Sequence, residues 1–172
     1  MTANHEAVRL AHLGRATEAL AALSPFLSDT KGPSGDQAPA SGLVLCLETA
    51  VLLDERETAA HLAPMLSGLV ATQSLHFLHS VARHLGGAAA LLGDQLAARG
   101  HYQRALKWAN SIRFRPEVAL TRLELAELLL DRSPEEQTEA QAHLDFAIAE
   151  FREMKMQPSL ERALGHKGLL KA

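Results

Sequence analysis

Apolar residues recur every three or four positions along most of this chain. The spacing places them on one side of a helix, because an α-helix completes a turn every 3.6 residues. It is clearest in three stretches, whose apolar positions are Leu78, Val81, Ala82, Leu85, Ala88, Ala89 and Leu92; Ala119, Leu123, Ala126 and Leu130; and Ala140, Leu144, Ala147 and Phe151. We therefore predict an all-α fold in which these sides are buried.

Turn-forming residues divide the helical pattern into four hairpins and a closing helix. The predicted hairpins cover about residues 4–28, 41–70, 75–112 and 116–154, with turns near Gly14, Asp54–Glu55, Gly93–Asp94 and Asp131–Pro134, and the closing helix covers about 158–170. Residues 29–40 are rich in Gly, Pro, Ser and Asp, so we predict a flexible linker between the first and second hairpins. Pro25 and Pro64 fall inside predicted helices and are expected to bend them.

One small residue repeats at a regular interval in the second helices of the hairpins. Ala19, Ala60, Ala98 and Ala140 stand 41, 38 and 42 residues apart. A steady interval of this size is typical of stacked helix pairs, since one pair cannot bury its apolar side alone. We therefore predict a single domain over residues 1–172, an α-solenoid of about four antiparallel hairpins with a C-terminal capping helix.

The capping helix is expected to have one apolar side and one polar side, as the end of a repeat array requires. The apolar side, expected to pack on the fourth hairpin, has Leu160, Leu164 and Leu169. The polar side, expected to face water, has Glu161, Arg162, His166, Lys167 and Lys171.

Composition and charge narrow the classes of partner. Apolar residues make up 47% of the chain but aromatic residues only 4%, so Leu and Ala dominate the predicted core. The net charge is -3 and no cluster of Lys or Arg stands out, so we expect no nucleic-acid binding. Neither a signal peptide nor an apolar stretch of membrane-spanning length is present, and we expect a cytoplasmic protein that does not bind a membrane.

The candidate catalytic and metal-binding residues form no recognisable site. His76, His79 and His84 are close in sequence, but their spacing does not bring all three to one side of a helix. Cys46 is the only cysteine, and we expect a buried free thiol in a reducing compartment. No serine lies in a G-x-S-x-G motif. We predict no catalytic residues, no metal site, no cofactor and no enzymatic activity.

Five residues of the third hairpin resemble the pattern of a tetratricopeptide repeat (TPR). That pattern has a Leu-Gly pair within the first helix and an Ala–aromatic–Ala series in the second, and here the matching residues are Leu85, Gly86, Ala98, Tyr102 and Ala105. Leu125–Ala126, Ala140, Leu144 and Ala147 are a weaker copy. The resemblance implies paired helices that approach closely at Gly86 and cross at Ala98.

A more particular resemblance covers about residues 81–172. The segments FRPEVALTRLELAELLL (114–130) and HLDFAIAEFREMKMQPSLERAL (143–164) resemble the C-terminal repeat region of bacterial signalling proteins that carry a class III nucleotidyl cyclase or a regulatory ATPase domain. The resemblance implies a sensing or docking arm whose partner is an adjoining cyclase or ATPase domain. This chain has no G-x-x-x-x-G-K-[ST] motif and no recognisable cyclase metal site.

The concave side of a helical-repeat array commonly binds a peptide or a helix. The positions predicted to line it are Ser80, Arg83, His84, Gly87 and Ala90 in the third hairpin and Glu124, Glu127 and Asp131 in the fourth. We expect Arg83 and His84 to border an open notch in which Arg83 binds a partner carboxylate. The predicted function is a non-catalytic module that binds a peptide or a partner domain. Two alternatives stay open, a small-molecule sensor and a homodimer that pairs apolar hairpin sides.

Overall fold

The computed structural model describes residues 3–30, 39–68, 80–130 and 133–169. Within these ranges the chain forms nine α-helices and no strand, which confirms the all-α prediction. The helices are α1 (Ala3–His12), α2 (Ala16–Thr30), α3 (Ala40–Leu52), α4 (Arg56–Ser67), α5 (Val81–Leu92), α6 (Gln95–Ser111), α7 (Arg115–Leu129), α8 (Pro134–Met154) and α9 (Gln157–Leu169). None of these helices is both long and apolar enough to cross a membrane.

The predicted element boundaries agree closely with the observed ones. Most of the predicted linker, residues 31–38, lies outside the described residues, and so does the predicted start of the third hairpin, residues 75–79. The described part of that hairpin begins at Ser80, whose hydroxyl caps α5 by accepting from the Arg83 N–H. Pro25 and Pro64 lie inside α2 and α4, as predicted.

The chain divides into two compact units, Met1–Asp94 with α1 to α5 and Gln95–Ala172 with α6 to α9. The division falls at the turn predicted for the third hairpin, so the two helices of that hairpin belong to different units. The single domain predicted over residues 1–172 remains a prediction.

Among the described residues, five turns between helices share one geometry. In each turn a single residue has a positive φ, namely Gly14 (72°), Asp54 (60°), Gly93 (91°), Arg113 (56°) and Lys155 (57°). Its N–H bonds to the carbonyl three residues earlier, and the next N–H bonds to the carbonyl five residues earlier, which is the Schellman motif. Each following helix begins two residues after the positive-φ residue. The same joint therefore recurs along the chain.

In the first unit, each helix packs on its neighbours in sequence order. Helix α1 contacts α2 and α3, α3 contacts α4 and α5, and α4 contacts α5. The core is mainly aliphatic, and its largest fully buried side chains include Leu23, Leu47, Leu62 and Leu66. Gly42 lies where α3 meets two other helices, because an added Cβ there would approach the Phe26 ring to 2.7 Å and Asn4 Nδ2 to 3.0 Å. Only glycine fits this crossing without displacing Phe26.

Cys46 lies in the middle of this core and is fully buried as a free thiol. Burial alone raises the pKa of the thiol to about 12, because a thiolate is poorly solvated among aliphatic side chains. Cys46 is therefore protonated and unreactive at neutral pH, as its apolar sequence context predicts.

In the second unit, α7 contacts α6 and α8, and α9 contacts α8 and, over a smaller area, α7. The predicted apolar sides are buried here: Ala98, Tyr102 and Ala105 on α6; Ala119, Leu123 and Ala126 on α7; and Ala140, Leu144, Ala147 and Phe151 on α8. Small residues alternate with large ones along these rows, which lets the helices approach closely. The predicted row of α8 is buried throughout, and that of α7 is buried except at its end, where Leu130 is only partly buried.

The prediction of Ala60 as a member of the Ala repeat is wrong by one position. In the first three hairpins the fully buried small residue stands five positions after the positive-φ residue of the turn, at Ala19, Ala59 and Ala98. Ala60, the predicted position, is exposed. With Ala59 the intervals to the next small residue are 40, 39 and 42, which is more regular than the prediction. The turn fixes the register of the second helix, and sequence spacing alone did not locate the turn to one residue.

Helix α9 packs differently from the prediction. Leu160, Leu164 and Leu169 were expected to face the fourth hairpin, but Leu164 is 39% exposed and Leu160 is only partly buried. The side chain of Leu169 lies outside the described residues. Of the α9 side chains that the structure describes, only that of Ala163 is buried. Apolar burial therefore accounts for little of how this helix is held.

Candidate interaction surface on helices α7 and α8

The predicted open notch on α5 is wrong. Ser80, Arg83 and His84 are each less than 5% exposed, and Gly87 is buried as well. Arg83 lies beside His84, with 3.2 Å between its Nη2 and the Nε2 of the ring. These four residues are not accessible to a partner in this structure.

The cause is that the first eight residues of α5, Val81–Ala88, are all buried. The prediction assumed a helix with one buried side and one exposed side, which is the usual arrangement for a surface helix. The N-terminal half of α5 is covered on every side, and its polar residues are buried together with its apolar ones.

On α7, the predicted groove residue Glu127 is already paired within the chain. Arg162 of α9 donates to both carboxylate oxygens of Glu127, at 2.7 and 2.5 Å, and His166 Nε2 lies 2.8 Å from Oε1. Glu124, on the same side of α7, is partly buried and acts on Arg162 electrostatically. Asp131 lies outside the described residues. We call Glu127, Arg162 and His166 the Glu127 cluster.

The Glu127 cluster keeps its carboxylate ionised. Burial by itself raises the pKa of Glu127, but the hydrogen bond from His166 and the charge and hydrogen bonds of Arg162 outweigh it, so the pKa is lowered. Lys167 of α9 also pairs with Asp145 of α8. The basic side of α9, predicted to face water, is thus the side that binds α9 to α7 and α8.

A second row of side chains, five polar and one aromatic, runs along α8 beside its apolar row. Its members stand three or four positions apart, and we call them the α8 stripe: Glu136, Glu139, His143, Phe146, Glu150 and Glu153. This spacing aligns them on one side of the helix over five turns. Three arginines from α6 and α7 contact the stripe, and each contacts a different part of it.

Ion pairs form at both ends of the α8 stripe, with one arginine between two glutamates at each end. At the N-terminal end, Arg99 of α6 lies 2.6 Å from Glu139 and 3.5 Å from Glu136. At the C-terminal end, Arg115 of α7 donates to Glu150 at 2.8 Å and to Glu153 at 2.6 Å. One set of pairs joins α6 to α8 and the other joins α7 to α8, and an ion pair at such a partly exposed position contributes about 0–1 kcal/mol.

Arg122 of α7 contacts the middle of the stripe in another way. Its guanidinium carbon lies 4.2 Å from the centre of the Phe146 ring, and its Nη1 lies 3.3 Å from His143 Nδ1. Among the described residues, none places a carboxylate within ion-pair distance of Arg122. Phe146 is 36% exposed, which makes it one of the large apolar side chains that reach the surface. We call Arg122, His143 and Phe146 the Arg122 site.

The contacts of His143 define its protonation state. An arginine only donates hydrogen bonds, so His143 Nδ1 accepts from Arg122, and the proton of the neutral ring lies on Nε2, 3.6 Å from Glu139. Burial and the positive charge of Arg122 lower the pKa of His143, and Glu139 offsets only part of this. The ring is therefore neutral at pH 7.

Arg122 Nε is buried and has no acceptor in the structure, and it is the one such side-chain atom among the described residues. Leaving a buried donor unpaired costs about 1–3 kcal/mol. Buried polar groups are nearly always paired in folded proteins, so an unpaired one needs a physical explanation. The Arg122 site therefore combines an unmatched cation, a neutral histidine and a half-covered aromatic ring.

The sequence contained a signal for this surface that our sequence reasoning did not use. The heptad-like spacing of Glu136, Glu139, His143, Phe146, Glu150 and Glu153 marks a second side of α8. Which arginine meets which member of the stripe depends on how α6, α7 and α8 cross, and sequence spacing does not give that.

No three His, Cys, Asp or Glu side chains in the described ranges are arranged to hold a metal ion. His76 and His79 lie outside these ranges, and His84 is buried on α5.

Comparisons with protein-family models, with curated proteins and with solved structures find no match to this chain.

Proposed function

We propose that this chain is a non-catalytic helical-repeat module of the TPR type that binds a segment of another polypeptide. Such modules expose long, regular surfaces because each helix pair packs mainly on its neighbours. The partner is a peptide or a neighbouring domain, in keeping with the resemblance of residues 81–172 to the docking region of cyclase- and ATPase-bearing signalling proteins.

The recurrence of one joint is the observation that supports this proposal most directly. Three turns within predicted pairs, at Gly14, Asp54 and Gly93, stand 40 and 39 residues apart, and two turns between pairs, at Arg113 and Lys155, stand 42 apart. All five use the same backbone hydrogen bonds. Gly93 and Arg113 stand only 20 residues apart, so the near-constant interval holds within each of the two sets, and such an interval is typical of repeated helix pairs.

The order of helix contacts within each unit supports the same function. In the first unit the opening helix of each predicted pair contacts the opening helix of the next, α1 with α3 and α3 with α5. In the second unit α7 contacts α9 in the same way. Contacts of this kind align successive first helices, as in stacked helix pairs, and a partner binds the helix sides that such stacking leaves exposed.

Panning a display library of random peptides on the purified chain tests this proposal. We expect enrichment of related sequences that bind with a dissociation constant on the order of 1–100 μM, a range typical of a short segment on a preformed surface. Titration calorimetry with the synthetic peptides measures the affinity, and urea-unfolded protein is the control. If no sequence is enriched, or if the unfolded chain binds equally well, the proposed function is wrong.

A further inference from the structure

Four arginines of this chain pair with carboxylates through the Nε–Nη2 edge of the guanidinium, whereas Arg99 uses Nη1 and Nη2. Arg9, Arg15 and Arg162 each donate from Nε and Nη2 to the two oxygens of one glutamate. Arg115 uses the same two nitrogens for Glu150 and Glu153. This edge offers two parallel N–H groups, the geometry that matches a carboxylate best.

Arg122 departs from this pattern. It offers Nη1 to His143, and its Nε is the unpaired buried donor, so the edge that the other four arginines use for carboxylates has no carboxylate partner among the described residues. One face of its guanidinium lies on the Phe146 ring, a contact whose energy is modest at a partly exposed site. The resting position of Arg122 therefore leaves its strongest interaction unmade.

We propose that Arg122, together with Phe146, binds an aspartate or glutamate side chain of the partner polypeptide. The guanidinium turns outward to present its Nε–Nη2 edge to the partner carboxylate. The same movement uncovers the Phe146 ring, which packs against an apolar residue next to the acidic one. This inference rests on the proposed function, since it names the chemistry of the segment that the module binds.

Charge around the Arg122 site favours a single carboxylate over a polyanion. Glu139 and Glu150 lie on either side of the site along α8, and both belong to ion pairs that leave little positive potential beyond Arg122. The whole chain has a net charge of -3. The negative charge of the chain repels each charge of a nucleic acid or an acidic cluster, whereas an apolar segment with one carboxylate is repelled at that single charge only.

The test uses two labelled peptides that differ only in charge. Fluorescence anisotropy compares a fluorescein-labelled, Leu-containing peptide that carries one Glu with the same peptide carrying Gln in its place. We expect the full chain to bind the Glu peptide at least about tenfold more tightly, because the Gln amide lacks the charge and the second acceptor. The Arg122→Gln variant is expected to lose this preference. Arg122→Lys keeps the charge but not the two parallel N–H groups, and we expect it to prefer the Glu peptide only about threefold.

Arg104→Gln is the matched control. Arg104 on α6 also faces a histidine Nδ1 at 3.3 Å, from His101, but the pair is exposed. We expect the affinity of the Arg104→Gln variant for the Glu peptide to stay within about twofold of the wild-type affinity. Circular dichroism melts verify that all three variants are folded, and the Arg122 Nε–Hε NMR signal, assigned from its loss in Arg122→Lys, is expected to shift when the Glu peptide binds.

The outcomes separate this inference from the proposed function. Equal binding of the two peptides, an equal loss in Arg104→Gln, or an unshifted Nε–Hε signal overturns the Arg122 site as a carboxylate receptor. If the Arg122→Gln variant binds the library peptides as tightly as wild type does, the inference about Arg122 is also overturned, but the proposed function is not. Failure of the library to yield any binder counts against the proposed function itself.

Discussion

The imidazole of His143 lies between a cation and an anion, and both affect its titration. Arg122 faces Nδ1 from α7, Glu139 faces Nε2 from α8, and Arg99 of α6 adds a more distant positive charge. The pKa of His143 is lowered mainly by burial and then by Arg122. In the unfolded chain the ring regains its ordinary value of 6.5.

This shift predicts that acid destabilises the fold through His143. The unfolded chain takes up the proton at a higher pH than the folded chain, so the contribution of His143 is complete above about pH 6.5 and is lost as the pH falls below it. We expect His143→Gln, which keeps an acceptor for Arg122 but does not titrate, to lose less stability on acidification than wild type. Urea unfolding at about pH 7.5 and about pH 5.5 measures the difference.

His5→Gln provides the control, because His5 is exposed on α1 and belongs to the other unit. It is expected to respond to pH as wild type does. Equal losses of stability in wild type and His143→Gln between the two pH values would contradict the assignment.

At the scale of the element, the recurrent turn determines where each helix begins and which residues it buries. Three of its five positive-φ positions hold residues other than glycine: Asp54, Arg113 and Lys155. A left-handed backbone costs an L-residue roughly 1–2 kcal/mol, so these positions store strain that the surrounding helices must offset. The two glycine positions, Gly14 and Gly93, avoid this cost.

Replacing residues at this joint tests that reading. We expect Arg113→Gly to raise the free energy of unfolding by about 0.5–1 kcal/mol, since relief of strain exceeds the entropy that glycine adds to the unfolded chain. Gly93→Ala should lower it by about 1 kcal/mol. A Cβ at Gly93 meets no atom within 4 Å, so its effect reports the backbone alone.

Arg104→Gly is the control for the joint, since it places glycine at an exposed position inside α6 and should destabilise by roughly 1 kcal/mol. Chemical unfolding of the three variants measures all of these changes. A loss of stability in Arg113→Gly similar to that in Arg104→Gly would refute the strained-turn interpretation.

Helix α9 is an element held more by charge than by apolar burial. Among the described side chains of α9, only that of Ala163 is buried. Arg162 and His166 pair with Glu127, and Lys167 pairs with Asp145. We expect Glu127→Gln to cost about 1–2 kcal/mol, because it removes the acceptor charge from a partly buried cluster. Hydrogen exchange should show the loss of protection in α9 first, and added salt should reduce the wild-type protection.

Glu161→Gln is the matched substitution for α9. Glu161 is exposed and accepts only a local hydrogen bond from Gln157, so its loss should cost no more than about 0.5 kcal/mol. If the two variants reduce protection in α9 equally, the Glu127 cluster does not hold the helix.

At the scale of the whole molecule, contacts between neighbours in the chain dominate both units. Unit Met1–Asp94 has an aliphatic core built by α1 to α5, and unit Gln95–Ala172 combines an apolar core with rows of ion pairs on α8 and α9. Neighbour packing of this kind needs no long-range closure, and it leaves long helix sides available to a partner. The proposed function follows from this property, and the library experiment tests it.

Much of the architecture could be predicted from the sequence because its causes are local. Helical period, proline positions and turn-forming residues located the nine helices of the described residues to within a few residues, and the apolar rows of α6 to α8 are largely buried where the spacing placed them. The prediction of Ala60 was wrong by one residue, because the positive-φ residue of the preceding turn is Asp54 and not a glycine that the sequence would reveal. Local backbone preference and side-chain period are properties of the chain itself.

Which side chains reach the surface depends on how the helices pack together. Whether Arg83 and His84 face water or the interior depends on how many sides of α5 are covered, and a periodic pattern reports one covered side at most. The pairing of Glu127 with α9 and the isolation of Arg122 on Phe146 depend in the same way on the crossing of α7 with its neighbours. Those crossings arise from packing between residues that are distant in the chain. The local sequence pattern therefore identifies the residues on each helix side but not their partners on the next helix.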